Sequence, residues 1–131
     1  MRVVAGVTIQ SYRDLSVWQK AMTLAVSCYE LTKSFPPSEL YGMTTQIRRA
    51  SASIAANIAE GHGREHTKSF VQFLRIAQGS LKELETHLEL ANRVDVADQA
   101  QVLPRLESAD ELGKMLRSLI RTLQAKLRDS D

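Results

Sequence analysis

The sequence predicts an all-α fold, an up-down-up-down antiparallel four-helix bundle, from three observations. Four separate segments repeat apolar residues at alternating spacings of three and four, the period of a helix face. The joints between them are short and hold helix-ending residues: Pro36-Pro37, Gly61-His62-Gly63, and the stretch from Arg93 to Ala97. The apolar weight is carried by Leu, Ala, Ile and Val with only 5% aromatics, and Leu and Ala are good helix formers. Short joints favour antiparallel neighbours, and seams near 3.5 residues favour shallow crossing angles.

The first helix is expected from Ser16 to Ser34, opened by a capping box between Ser16 and Gln19. Its face reads Leu15, Trp18, Met22, Ala25, Tyr29, Thr32, and Phe35-Pro36-Pro37 closes it. The start of the second helix is open to two readings: Ser38 caps it, or Gly42 breaks its first turn and leaves Thr44 or Thr45 as the working start. Met43, Ile47, Ala50, Ile54 and Ile58 form its stripe, beside a small surface of Ala52, Ala55, Ala56 and Ala59. Gly61 is expected to end it, since glycine takes left-handed angles at little cost. Thr67 caps the third helix, whose seam of Phe70, Leu74, Ala77, Leu81, Leu84, Leu88 and Ala91 runs six steps without a miss. Asp98 with Gln101 offers a capping box for the fourth, which carries Val102, Leu106, Ala109, Gly113, Leu116, Ile120, Leu123 and Leu127. Pro104 should bend its first turns or delay its start.

At 131 residues the chain suits one domain spanning 1–131, with residues 1–13 as a loose N-terminal arm. No strand signal of comparable strength appears. The opening MRVVAGVTIQ is too short for a signal peptide, and no apolar run reaches the length of a membrane span. The single Cys28 can make no intrachain disulfide, which suits a reducing interior, so the expected place is the cytoplasm, with no membrane partner.

The sequence carries no recognisable catalytic set, and the expectation is a protein that is no enzyme, with no cofactor and no metal. His62 and His66 flank a glycine-containing turn, and Glu83 to His87 is one residue too long for the Glu-x-x-His of di-iron bundles. Net charge is only +2, but its distribution is uneven. Residues 42–75 carry five basic and two acidic side chains, residues 76–100 two and five. From Lys114 to Arg128 there are five basic residues and no acid. Lys114, Arg117, Arg121 and Arg128 share one helix face, for which phosphates are natural partners. Complementing the helix dipole is the plainer reading of the same cations. The second helix carries a polar stripe of Gln46, Arg49, Ser53, Asn57 and Glu60, read either as a solvated face or as a face buried against another helix or subunit. Counting from a turn at Arg64 sets Arg49 beside Gly79, near Ser80 and Glu83, and predicts close helix approach at Gly79 with an Arg49–Glu83 pair.

The run Tyr41-Gly42-Met43-Thr44-Thr45-Gln46-Ile47-Arg48-Arg49-Ala50, then Ser53-Ile54, then Asn57-Ile58-Ala59-Glu60-Gly61, resembles the bacterial four-helix bundle proteins encoded within 23S rRNA intervening sequences. The accessory variability determinant of diversity-generating retroelements is a relative of that family. Asp14-Leu15, Val17-Trp18, Phe35-Pro36, Ala77 to Leu81 and Glu83-Leu84 support the match. Met43 stands where the family commonly has Leu, and Ala55 where it often has Pro. The resemblance implies a four-helix bundle forming a homopentamer, and a relative that binds nucleic acid and a reverse transcriptase. The expected function is therefore a homo-oligomer binding RNA or DNA through backbone phosphates. The rival is a structural module that binds another protein.

Overall fold

The computed structural model describes the backbone of residues 2–4 and 7–129 and the side chains of residues 10–129. Four helices make the bundle: α1 Ser16–Thr32, α2 Thr45–Gly63, α3 Thr67–Arg93 and α4 Gln99–Asp129. Each packs on its neighbours in sequence, and α1 against α4 closes the ring, so α1 stands diagonal to α3 and α2 to α4. The expected all-α, up-down-up-down architecture is what the chain adopts.

Two short strands precede the bundle. β1 (Arg2–Val4) pairs antiparallel with β2 (Val7–Ile9), Val3 opposite Thr8. Val3, Val4, Val7, Thr8 and Ile9 are β-branched, the residue type that favours a pleated strand. The arm expected to be loose over 1–13 is also fixed to the bundle at its end. Ser11 accepts from the Arg13 backbone NH and Asp14 from that of Ser11, a capping box around one 3-10 turn at Tyr12–Asp14. Tyr12 then meets Trp18 edge-on at 5.3 Å.

The capping box expected between Ser16 and Gln19 does not form. The residue before the helix is Leu15, with no side-chain cap, and Gln19 donates to the Arg13 carbonyl instead. The helix buries part of the expected face and a second arc beside it. Leu15, Ala25 and Thr32 are buried together with Val17, Ala21, Leu24, Cys28 and Leu31, whereas Met22 and Tyr29 are exposed and Trp18 is half-buried. Both arcs have helical spacing, and they lie one residue, about 100°, apart. Periodicity alone cannot choose between them.

The second helix begins as its glycine demands. Gly42 has φ −113 and ψ −108, outside helical geometry, within a wide π-type turn over Leu40–Thr44. The Glu39 carboxylate accepts the Met43 NH at 3.1 Å, Thr45 Oγ1 donates to the Leu40 carbonyl, and α2 starts at Thr45. Its end differs from expectation. Gly61 lies inside the helix, which continues to Gly63, and the left-handed residue is Glu65 at φ 55. A Cβ on Gly61 would lie 2.5 Å from the Phe73 Cβ. Gly61 is therefore where α2 and α3 touch most closely, rather than a helix exit.

All seven predicted seam residues of α3 are buried, none more than 1% exposed. Thr67 is its first residue and His66 its cap, without a side-chain bond. For α4 the capping box forms as expected: Gln101 NH donates to Asp98 Oδ1 at 2.8 Å, and Asp98 NH to Gln101 Oε1 at 3.0 Å. Pro104 neither delays nor ends the helix and lies within its opening turns.

Candidate functional site

The basic stripe is an accessible surface. Lys114, Arg117, Arg121 and Arg128 are all exposed along one side of α4. Lys114 is paired with Asp110 at 3.2 Å, an i,i+4 bridge that partly neutralises it. Among the described residues, Arg117, Arg121 and Arg128 make no ion pair, and neither does exposed Lys126 beside them. Gly113 lies against Leu81 of α3, with its Cβ position 3.5 Å from a Leu81 methyl and 3.8 Å from the Arg117 guanidinium. The following turns of α4 therefore run beside the preceding turns of α3, where exposed Arg75 bonds only to Gln78 at 3.3 Å. Charge counting along the chain misses Arg75, because its two helix neighbours in the patch are some forty positions away. The result is one cationic face across α3 and α4.

The polar stripe of α2 divides. Ser53 and Asn57 are half-buried against α3: Ser53 Oγ lies 2.9 Å from Ser80 Oγ, and Asn57 donates to the Ser53 carbonyl at 2.8 Å and hydroxyl at 3.1 Å. This part of the stripe faces another helix of the same chain. Gln46 is half-buried, and Arg49 and Glu60 are exposed, Glu60 pairing with Arg64 at 2.8 Å. The expected Arg49–Glu83 pair does not form. Glu83 lies 3.7 Å from His87 instead. Gly79 is not a close-approach point either, since a Cβ there would meet nothing within 4 Å. The two have separate causes. Extension of α2 past Gly61 moves the centre of the turn from Arg64 to about His66, so Ser53, not Arg49, is linked to Ser80. Gly79 lies two residues from both Ala77 and Leu81 of the buried seam, which puts it on the outer face of α3. Arg49→Ala is accordingly expected to change subunit stability by no more than about 0.5 kcal/mol, read by thermal unfolding.

A third feature was hidden in the sequence. Trp18, Met22, Val26 and Tyr29 of α1 face Ala52, Ala55, Ala56 and Ala59 of α2 across an open apolar groove of about 580 Å³. Val26 is 58% exposed, Tyr29 42% and Met22 39%. Glu30 and Lys33 also line the groove and pair at 3.0 Å, and Arg48 stacks on Tyr29 at 4.7 Å while its Nε donates to Thr32 Oγ1 at 2.8 Å. Leu40, Tyr41, Leu90, Val94 and Leu103 are also exposed, all near the end of the bundle that holds the two interhelical loops after α1 and α3.

Among the described residues, no three of His, Cys, Asp and Glu gather where a metal could be held. No described helix is long and apolar enough to cross a membrane. Burial pushes the Cys28 thiol up to about 11, the Arg105 charge pulling partly back. It is a small core residue, held protonated and unreactive near neutral pH.

The family model for 23S rRNA-intervening sequence proteins matches residues 13–118, from the Tyr12–Asp14 turn to the middle of α4. The chain belongs to the 23S rRNA-intervening sequence protein family. A crystal structure of a protein of unknown function, from the S23 ribosomal protein family of Bacteroides thetaiotaomicron VPI-5482, is similar to it. The two share 30% identity and a TM-score of 0.75, over 80% of this chain and 95% of that one. No curated protein matches. Within the family motif, Gly42 sets the start of α2, Gly61 the closest α2–α3 contact, and Ser53 with Asn57 the polar link to Ser80. The matched region stops at residue 118, so Arg121 and Arg128 lie beyond it.

Proposed function

We propose that this 23S rRNA-intervening sequence protein is a non-enzymatic homo-oligomer, a pentamer, that works in the cytoplasm and binds RNA or DNA through backbone phosphates. The observation that carries the binding half is the row of exposed arginines, Arg117, Arg121 and Arg128, left without acidic partners and joined by Arg75 of α3. Unpaired guanidiniums are weakly hydrated, planar donors that fit phosphate oxygens, and each neutralised phosphate releases condensed counterions. Nothing in that face reads a base edge, so little sequence preference is expected. The apolar groove supports the assembly half: an uncovered apolar surface of this kind marks a contact with another macromolecule.

Sedimentation or light scattering is expected to give a mass near five times the 14.6 kDa subunit. A clean monomer at micromolar concentration contradicts the assembly, and failure to bind generic RNA at low salt contradicts the nucleic-acid half. In the second case the structural reading takes its place. It is favoured by Tyr41, 92% exposed at the loop end of the bundle, where a partner such as a reverse transcriptase or another protein can cover it.

A further inference from the structure

The furrow between α3 and α4 carries cations on both banks along one stretch of its length. Gly113 lies against Leu81, which fixes the register of this antiparallel pair. Arg117, Arg121 and Arg128 stand on the flank of α4 that carries Gly113, the first with its guanidinium 3.8 Å from the Gly113 Cβ position. On α3, Arg75 lies level with the turn from Arg117 to Arg121. Lys68, two turns before it on the same side, lies level with the turn that carries Arg128. Lys68 is exposed and, among the described residues, makes no ion pair. Toward the interhelical loop the same furrow loses its free charge. Lys82 pairs there with Glu85 at 2.8 Å and Lys114 with Asp110 at 3.2 Å, and Glu89 lines the cleft between the two helices. The unpaired cations thus form one patch, about 16 Å long on α4 and two helices wide. It offers nothing to a base. Helix α4 has no aromatic residue, and those of α3 lie elsewhere, Phe70 in the core and Phe73 against Gly61 of α2.

We infer that this patch takes a double-helical nucleic acid in preference to a single strand. The preference presupposes the phosphate binding proposed above and names the form of its ligand. A single strand is a flexible chain that a binding site must order. Proteins that hold one recover that cost by stacking its bases on aromatic side chains. This patch has no such side chain, so its affinity comes from phosphate contacts alone, and those favour a duplex. Two strands together carry the denser charge and the larger condensed counterion atmosphere. Each neutralised phosphate contributes about 0.9 to the slope of log affinity against log salt on a duplex and about 0.7 on a single strand. A duplex also arrives with its phosphates in place and its bases stacked on one another, so docking on a rigid pair of helices orders little. Cations on two helices make a surface rather than a line, and a stiff rod lying over it is met from both banks. Glu85, Glu89 and Asp110 repel phosphate beyond the patch, which confines the contact to the turns of α4 after Gly113.

Three labelled probes of one length, about 20 nucleotides per strand, test this: duplex RNA, duplex DNA and a single-stranded RNA without secondary structure. Fluorescence anisotropy with the whole protein over a salt series reads each affinity and its slope. With four phosphates touched, the slopes are expected near about 3.6 for a duplex and about 2.8 for the single strand. Affinities that converge near about 1 M salt then differ about tenfold at about 50 mM. Tighter binding of either duplex than of the single strand supports the preference, and the tighter of the two duplexes names its source. Arg75→Gln changes an exposed residue bonded only to Gln78. It is expected to lower the duplex slope by about 0.9 and the affinity at about 50 mM by about tenfold, with helicity and thermal unfolding as in wild type. Single-stranded RNA bound as tightly as both duplexes overturns the preference, while phosphate binding itself stands. A folded Arg75→Gln protein that holds the duplex like wild type overturns the two-helix patch. Failure of all three probes to bind at low salt removes both the preference and the phosphate binding on which it rests.

Discussion

Replacing Gly61 by alanine is expected to destabilise the subunit by about 1 to 3 kcal/mol, the usual cost of overpacking a filled core. The added methyl would lie 2.5 Å from Phe73 Cβ and 3.2 Å from a Phe70 ring carbon. Phe73 Cβ is fixed to the α3 backbone, so relief requires the two helices to move apart, loosening the most extensive contact in the bundle. Alanine's better helix propensity returns up to about 1 kcal/mol and does not offset the strain. Gly79→Ala gives the opposite sign in the isolated subunit, a gain of about 0.5 to 1 kcal/mol, because its Cβ meets nothing. Thermal unfolding of the two variants beside wild type checks the pair, and equal effects at both sites would contradict the packing described.

Reversing charge in Arg117→Glu/Arg121→Glu is expected to have the largest effect on binding. Each lost phosphate contact should lower the slope of log affinity against log salt by about 0.7 to 0.9, so two should lower it by about 1.4 to 1.8. New acids beside Arg75 and Arg128 add repulsion, and binding at low salt should fall at least tenfold. Folding should survive, because both side chains are exposed and unpaired. Fluorescence anisotropy with a generic labelled RNA over a salt series measures this. A folded double variant that binds as tightly as wild type makes the stripe an ordinary solvated helix face.

The parts of this molecule that could be read from its sequence are those fixed by a single strong pattern. The α3 seam keeps helical spacing over seven residues without a miss, and every member is buried. The Asp98–Gln101 box and the break at Gly42 are local, set by residues within four positions of each other. The failures have the opposite character. Helix α1 carries two apolar arcs, and only the position of α2 decides which one enters the core and which becomes the groove. Gly61 and Gly79 are both helix-interior glycines, yet one is crowded and the other open, because Gly61 faces Phe73 and Phe70 of α3 while Gly79 lies on the side of α3 away from its buried seam. The Arg49–Glu83 expectation fails because the turn between α2 and α3 is centred at about His66 rather than Arg64. Arg75 joins Arg117 only through the α3–α4 packing, which no count of charges along the chain reveals.

On the proposed function, exposed arginines on an assembled bundle hold the phosphates of RNA or DNA. The most direct test is the affinity of the wild-type assembly for a generic RNA measured across salt concentration. The account predicts tight binding at low salt that falls linearly on logarithmic axes, with a slope of several units and little dependence on sequence. No binding at low salt, or an affinity that salt does not change, would contradict it.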